Sequence, residues 1–371
     1  MKRVLLVVGP ATGGMGSHVA GLVTGLPALG WTVTVFTSPQ TAERFGLRTG
    51  PGVRVITDWR GGAQGLLTSV RALRRLIGDA DVVHAHGHQA GLRVVLAART
   101  RRRRPPVVIS WHNAVLLGGP KGRVLALAEA VQARGAELLT GASADLVERA
   151  RRLGAADPEL AEVAAAPIAS PAEVRDRKRS NQVLTVSRIA PQKRLDVLVE
   201  AAARLAPRVP GLTWLVAGDG DAPLLAELEQ RAARLGAPVT FLGARSDVPA
   251  LMAAADVFAL TSTWEARALV VQEAMASGLP VVATAVGGLP DLIGPTGLLV
   301  PPGDVDALAD AVERVLTDPV LAGELATAAR ARFAELPTEA EVVARWSSRY
   351  AQLRHPSGPT TSPGAHSDAE A

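Results

Sequence analysis

The sequence predicts an α/β protein built from two doubly wound, Rossmann-like parallel-sheet domains that face a cleft. Three observations predict it. Strand-like and helix-like segments alternate almost throughout, which is the pattern of parallel βαβ units. The chain has 371 residues, more than one ordinary core accommodates. A polar, proline-punctuated break at 167–182, PIASPAEVRDRKRSNQ, separates two stretches of similar size.

The elements follow in order. Strands are expected near 3–8, 32–37, 53–57, 81–84, 106–111, 136–140 and 162–165. Helices fall between most of them, for example at 17–29, 62–77, 88–99 and 121–134. Runs such as VLLVV and PPVVIS carry no polar alternation, as strands covered on both faces do not. After the break the alternation restarts with VLTVS at 183–187, and further strands are expected at 212–217, 239–242, 256–260, 280–284 and 297–300. Three helices follow, near 304–316, 319–334 and 338–353. The expected division is a first domain over 1–170, a second over 171–336 and a closing helix over 337–354. Beyond it lies a turn-rich polar tail, 355–371, read as disordered.

Composition removes several function classes. Aromatic residues make up 3% of the chain, too few for base-stacking platforms, so no nucleic-acid partner is expected. There is no cysteine, which excludes disulfides, thiol catalysis and cysteine-ligated zinc and suits the cytoplasm. MKRVLLVVGP has too short an apolar run for a secretory signal and reads as a first buried strand. No run approaches membrane-spanning length. The net charge of +5 conceals an asymmetry. Residues 1–170 hold 21 Lys+Arg against 11 Asp+Glu, and residues 171–371 hold 19 against 24. A basic first half suits an anionic lipid surface or a phosphorylated ligand, with a solvated arginine-rich surface as the plain alternative.

Ligands of doubly wound sheets lie beyond the carboxyl ends of the strands, and the chemical motifs fall there. GPATGGMGSHV follows the first strand and opens a helix, expected at Ser17. Its Gly13, Gly14 and Gly16 allow backbone N–H groups to approach an anion at a helix N-terminus. A nicotinamide loop fits poorly. Ala11 stands where a second glycine belongs, and the second strand, WTVTVFTS, ends without a ribose-holding acid. A nucleotide P-loop would need GK[ST], which is absent here.

DVVHAHGH places His84, His86 and His88 at alternate positions, read as polar lining of the cleft rather than a metal site. His112 directly follows a buried strand and is the best placed histidine to touch a substrate. In SRIAPQKRLD, Arg188 and Lys193 sit just past a strand end, where two cations can clamp a diphosphate. Asp219-Gly220-Asp221 reads as a turn and helix cap, with Asp221 before PLLAELEQ. In TSTWEARALVVQEAMASGLPVVAT, Glu265 lies in a strand-end loop and Glu273 inside the following helix, which starts at Arg267 or Ala268. Two carboxylates so placed are acceptors for a hexose hydroxyl and a ribose diol.

With these motifs the chain resembles the retaining nucleotide-sugar glycosyltransferases of family 4, which have the GT-B fold. The resemblance covers nearly the whole sequence: GGMGSHVAGL, DVVHAHGH, SRIAPQKRLD, the E-x7-E spacing from Glu265 to Glu273, EAMASGLPVVAT and AVGGLPDLI. It implies an acceptor-side first domain and a nucleotide-sugar-binding second domain. It also implies that the last helix crosses back to the first domain. Gly13 and Gly14, with Gly16 in the same loop, would approach the donor diphosphate or its sugar. Arg188 and Lys193 would neutralise the leaving group. Glu265 would contact the donor sugar, Glu273 the ribose, and His112 would lie near the reacting centre or acceptor. The resemblance implies no metal in the chemistry and no other cofactor. This sequence departs from the family after Glu265, where a Pro-Phe-Gly-like run is replaced by Ala266-Arg267-Ala268. Backbone amides of that loop meet the sugar hydroxyls, so Arg267, Ala268 and Leu269 join the donor-binding set. The implied function is sugar transfer to an acceptor hydroxyl, with a lipid-linked or cell-envelope acceptor suggested by the basic first half. That half also suggests a location at the inner face of the cell membrane. An epimerase on the same fold and a non-catalytic sugar-nucleotide-binding protein are the alternatives.

Overall fold

A computed structural model describes residues 2–11, 13–115, 118–161, 164 and 180–354. Most of the expected break at 167–182 and all of the expected tail lie outside the described residues.

The first half runs β1 (Lys2–Val8), α1 (Gly14–Gly25), β2 (Trp31–Phe36), α2 (Pro39–Arg44), β3 (Val53–Ile56) and α3 (Gly62–Gly78). It continues with β4 (Val82–His86), α4 (His88–Arg99), β5 (Val107–Trp111), α5 (Gly119–Ala133), β6 (Leu138–Gly141), α6 (Ala144–Arg152) and β7 (Glu159–Leu160). The strands form one sheet in the order β3-β2-β1-β4-β5-β6-β7, parallel throughout. The strand expected at 162–165 lies, apart from Ala164, outside the described residues, and the described edge strand is Glu159–Leu160. It pairs with β6, Thr140 opposite Glu159 and Gly141 opposite Leu160.

The second half runs β8 (Gln182–Val186), α7 (Leu195–Leu205), β9 (Thr213–Ala217), α8 (Ala222–Leu235), β10 (Val239–Gly243), α9 (Val248–Ala254) and β11 (Val257–Leu260). Then come α10 (Leu269–Ala276), β12 (Val281–Thr284), α11 (Leu289–Ile293), β13 (Leu298–Val300), α12 (Val305–Thr317), α13 (Pro319–Ala334) and α14 (Glu339–Arg354). Its six strands, in the order β10-β9-β8-β11-β12-β13, are also all parallel.

Burial explains the plain apolar strands. Val4 to Val8 of β1 and all five residues of β5 are buried, because helices cover both sheet faces. Each such Val or Leu contributes on the order of 2 kcal/mol of transfer free energy. The final helix is not part of the second core. Val342, Val343, Trp346 and Tyr350 of α14 pack with Val4, Leu6, Leu22 and Trp31 of the first half. The Trp31 indole N–H donates to Ser347 Oγ at 2.9 Å.

Strand order locates the ligand region. In the first sheet the winding reverses between β1 and β4, and in the second between β8 and β11. The loops leaving β1, β8 and β11 carry Gly13, Lys193 and Glu265, and His88 opens the helix after β4, so the expected residues fall at both switch points.

Candidate active site

The loop after β1 ends at Gly13, the residue before α1, with φ +67°. An L side chain is strained there, and glycine is not. Gly13 O accepts from Gly16 N (3.1 Å) and Ser17 N (3.3 Å), so the helix begins at Gly14, three residues earlier than expected. The first N–H groups of such a turn lack intrahelical partners and favour an anion. Gly14 stands at the meeting of the two halves: a Cβ there would lie 3.2 Å from Leu269 Cδ1. Gly16 has a different local reason. It is buried, and a Cβ on it would run into the Phe45 ring, so its small size lets α1 lie against that ring.

The histidines do not line an open cleft. His84 and His86 are 0% and 1% exposed, on the face of β4 that meets α1 and α14. His84 Nδ1 is 2.5 Å from the Tyr350 hydroxyl and its Nε2 is 2.7 Å from Ser110 Oγ, which continues to Thr140 Oγ1 at 2.7 Å. His86 Nδ1 is 3.3 Å from His112 Nε2, and His18 of α1 packs beside both rings. Burial is the main force on all four imidazoles. It depresses His18 to about 4 and His112 to about 3, and holds His84 and His86 well below the ordinary value. The cluster is therefore neutral near pH 7. It exchanges hydrogen bonds without adding charge to the region of Gly13 and Gly14. His88 turns away, with Nε2 2.6 Å from the Asn113 carbonyl and Nδ1 3.7 Å from Glu129. The correction has a simple cause. Residues 84 and 86 share one strand face, and in this sheet that face is roofed by helices. Among the described residues, no three His, Asp or Glu side chains are grouped to hold a metal ion.

The second half supplies the charged groups. Lys193 closes a 3-10 turn after β8, and its ammonium pairs with the Glu265 carboxylate. The Ser262 hydroxyl donates to the same carboxylate oxygen at 2.6 Å. Both charged side chains are about five-sixths buried, at 16% and 14% exposed. The Thr261 hydroxyl donates to Lys193 O (2.7 Å) and Thr263 N to Gln192 O (2.8 Å), so the loops after β8 and β11 are stitched together. Arg188 is exposed beyond β8, so the two expected clamp residues differ: Lys193 is partly buried and paired with Glu265, and Arg188 faces solvent. Asp221 accepts from Leu224 N at 3.0 Å, the helix cap expected of it.

Helix α10 starts at Leu269, with Ala268 before it. Arg267 is half-buried and Ala268 buried in the segment between Glu265 and the helix. Glu273 is just over one turn into α10, partly buried, and burial raises its pKa. The GGLPDL loop braces this segment: Gly288 N donates to Glu265 O at 2.9 Å. Gly287 has φ +52°, and a Cβ there would overlap the Glu265 carbonyl oxygen, so only glycine permits this approach.

Sequence reading did not find the contact that joins the halves beside Glu265. Trp264, the preceding residue, donates its indole N–H to Asp145 Oδ2 at 2.6 Å, from the first turn of α6. The same indole packs on the first-half core. Trp264 and Asp145 are 119 residues apart, and nothing local marks them as partners. His18 and Ser262 were missed for the same reason. The assembled site has two helix N-termini, of α1 and α10, meeting beside a cation–carboxylate pair. Such a site can bind a phosphate-bearing polyol.

Comparison with known proteins follows this geometry. The first half matches the family model described as a glycosyl transferase 4-like domain over residues 13–166. The second matches glycosyl transferases group 1 over residues 180–318. The GDP-mannose-dependent alpha-(1-6)-phosphatidylinositol monomannoside mannosyltransferase of Mycolicibacterium smegmatis is 30% identical over 319 residues, covering 81% of this chain and 77% of that protein. The D-inositol 3-phosphate glycosyltransferase of Mycobacterium tuberculosis is 32% identical over 353 residues, covering 82% and 71%. The match to the alpha-D-kanosaminyltransferase of Streptomyces kanamyceticus, at 35% identity, spans only 42% of either chain. Among solved structures, sucrose-phosphate synthase from Thermosynechococcus elongatus superposes with a TM-score of 0.79 at 25% identity, over 96% of this chain and 100% of that one. HepE of Anabaena in complex with UDP gives 0.77 at 23% identity, over 95% and 100%, a likeness of fold. No helix among the described residues is long and apolar enough to cross a membrane. Matched in both halves and along most of its length, the chain belongs to the family 4 glycosyltransferases of the GT-B fold.

Proposed function

We propose that the protein transfers a sugar from a nucleoside-diphosphate-sugar donor to an acceptor hydroxyl, with retention at the anomeric carbon. The observation that carries this is the meeting of Gly14 and Leu269, at the starts of α1 and α10, beside the Lys193–Glu265 pair. The second half, 171–336, holds the nucleotide, the first half, 1–170, presents the acceptor, and the closing helix, 337–354, belongs with the first half. The anomeric C–O bond to the diphosphate breaks and a bond to the acceptor oxygen forms, while the acceptor proton leaves with the diphosphate. Lys193, Arg188 and the amides at Gly13 and Gly14 stabilise the departing charge, with Gly16 supporting the turn. Glu265 orients the donor sugar, helped by the Arg267, Ala268 and Leu269 backbone, and Glu273 takes the ribose diol. Burial raises the Glu273 pKa, and its carboxylate oxygens accept from the two ribose hydroxyls. His112, neutral, hydrogen-bonds the sugar or acceptor at the reacting centre. The reading requires no metal, because the two cations supply the positive charge.

Relatives named as transferases support transfer over epimerisation or mere binding. A phosphatidylinositol mannoside enzyme and an inositol phosphate enzyme among them support a phosphorylated or lipid-linked acceptor. The reading sets the protein at the cytoplasmic face of the membrane. A thermal-shift panel of UDP, GDP and their sugars is the test, since binding raises apparent stability by mass action. One base is expected to raise Tm, and the matching labelled sugar is expected to be transferred or slowly hydrolysed with the α configuration kept. No shift with any nucleoside diphosphate overturns the reading.

A further inference from the structure

Helix α5 is unusual for a surface helix. Its segment Val124-Leu125-Ala126-Leu127-Ala128 is apolar on every side, a pattern that belongs in a core or in lipid. Yet Val124 is 68% exposed and Leu127 66%. The other side of the same helix is not packed solid. Leu125 and Ala128, with Leu66 of α3, Leu92 of α4 and Val115, form the apolar wall of a cavity of about 360 Å³, and His88, Gln89, Arg93, Glu129 and Gln132 form its polar wall. That is roughly a dozen water volumes, room for a stretch of acyl chain. Across the cavity, α3 exposes Leu67 at 61%. Exposed cations border the apolar side chains on both helices: Lys121 and Arg123 on α5, Arg71 and Arg74 on α3. Helix α3 contains no acid, and the one acid of α5, Glu129, is 1% exposed and paired with Arg149. Apolar side chains fringed by cations, without exposed acids, make the surface of an element that rests in an anionic lipid interface.

We propose that α3 and α5 form a lipid-docking rim that settles on an anionic membrane surface, and that the cavity behind α5 takes one acyl chain of a lipid. The cavity borders the loop after the reacting centre. Val115 is three residues past His112, and the Asn113 carbonyl is held by His88. A chain lodged there leaves its headgroup beside His112. The inference deepens the proposed function by naming the class of acceptor, and it rests on that reading.

Co-sedimentation with phosphatidylcholine vesicles, and with vesicles also containing phosphatidylglycerol, tests the rim. At low salt the protein is expected to pellet only with the anionic vesicles. The double variant Val124→Ser, Leu127→Ser is expected to lower partitioning about tenfold through lost apolar insertion. Lys121→Gln with Arg123→Gln is expected to lower it by a similar factor through lost charge. Dodecyl phosphate below its micelle concentration tests the cavity. It is expected to raise the Tm of the native chain and not of Ala128→Phe, which fills the space, while inorganic phosphate shifts neither. Nucleoside-diphosphate thermal shifts on the same samples show whether each variant is folded, and they separate failure of the docking site from failure of the transferase reading. Pelleting that ignores phosphatidylglycerol, that survives the Val124 and Leu127 changes, or that is replaced by self-association overturns the rim. A dodecyl phosphate response unchanged in Ala128→Phe overturns the cavity.

Discussion

Mild acid is expected to unfold the first half, and the histidine cluster sets the size of the effect. His18, His84, His86 and His112 are buried against one another and kept neutral, His18 with a pKa of about 4 and His112 about 3. In the unfolded chain each imidazole titrates at its ordinary value, near 6.5. A base whose folded pKa is depressed contributes stability above the unfolded value and loses it as the pH falls below that value. Each ring therefore costs about 1.4 kcal/mol for each pH unit below 6.5, down to its own folded value. At about pH 5.5 four rings together remove roughly 5–6 kcal/mol, comparable with the whole stability of an ordinary domain. His88, also depressed by burial, adds in the same direction. The assay is urea unfolding at a series of pH values, followed by tryptophan fluorescence, because Trp31, Trp59, Trp111 and Trp346 report on the first-half core. The unfolding free energy is expected to fall with a slope approaching four protons between about pH 6 and pH 5. A flat profile over that range, or NMR titration of these rings near 6.5 in the folded protein, refutes the reasoning.

Two further outcomes follow from the second half. Lys193→Ala leaves Glu265, among the described residues, with Ser262 as its side-chain partner, and turnover is expected to drop by about a hundredfold or more with the fold retained. Near-normal turnover in a folded variant removes Lys193 from its role. Gly287→Ala drives a methyl group into the Glu265 carbonyl at a left-handed φ, and is expected to cost about 1–3 kcal/mol and to weaken donor binding. An unchanged melting temperature and donor affinity contradict the contact.

Most strands were legible because a strand covered on both faces must be apolar throughout, and VLLVV, VVIS and VVAT say so directly. The short edge strand Glu159–Leu160 was not foreseen, because two residues are too few to show a period. The positions of Glu265, Lys193 and Gly13 followed from strand ends and glycines, which are local features. Their partnerships did not. The Lys193–Glu265 pair spans 72 residues and the Trp264–Asp145 bond spans 119, so only the folded chain reveals them. The histidines misled for a related reason: alternation along a strand shows which residues share a face, not whether that face is open.

The return of α14 to the first sheet has a consequence for synthesis. Every strand of the second sheet has been made by Val300, but Trp346 and Tyr350, which cover His84, come some fifty residues later. A nascent chain emerging from the ribosome can therefore finish its later-made half before its earlier-made half. Until the last helix emerges, the part of the histidine-lined face that α14 covers stays bare and open to chaperones. Emergence of that helix, rather than completion of the first sheet, then determines when the leading segment locks.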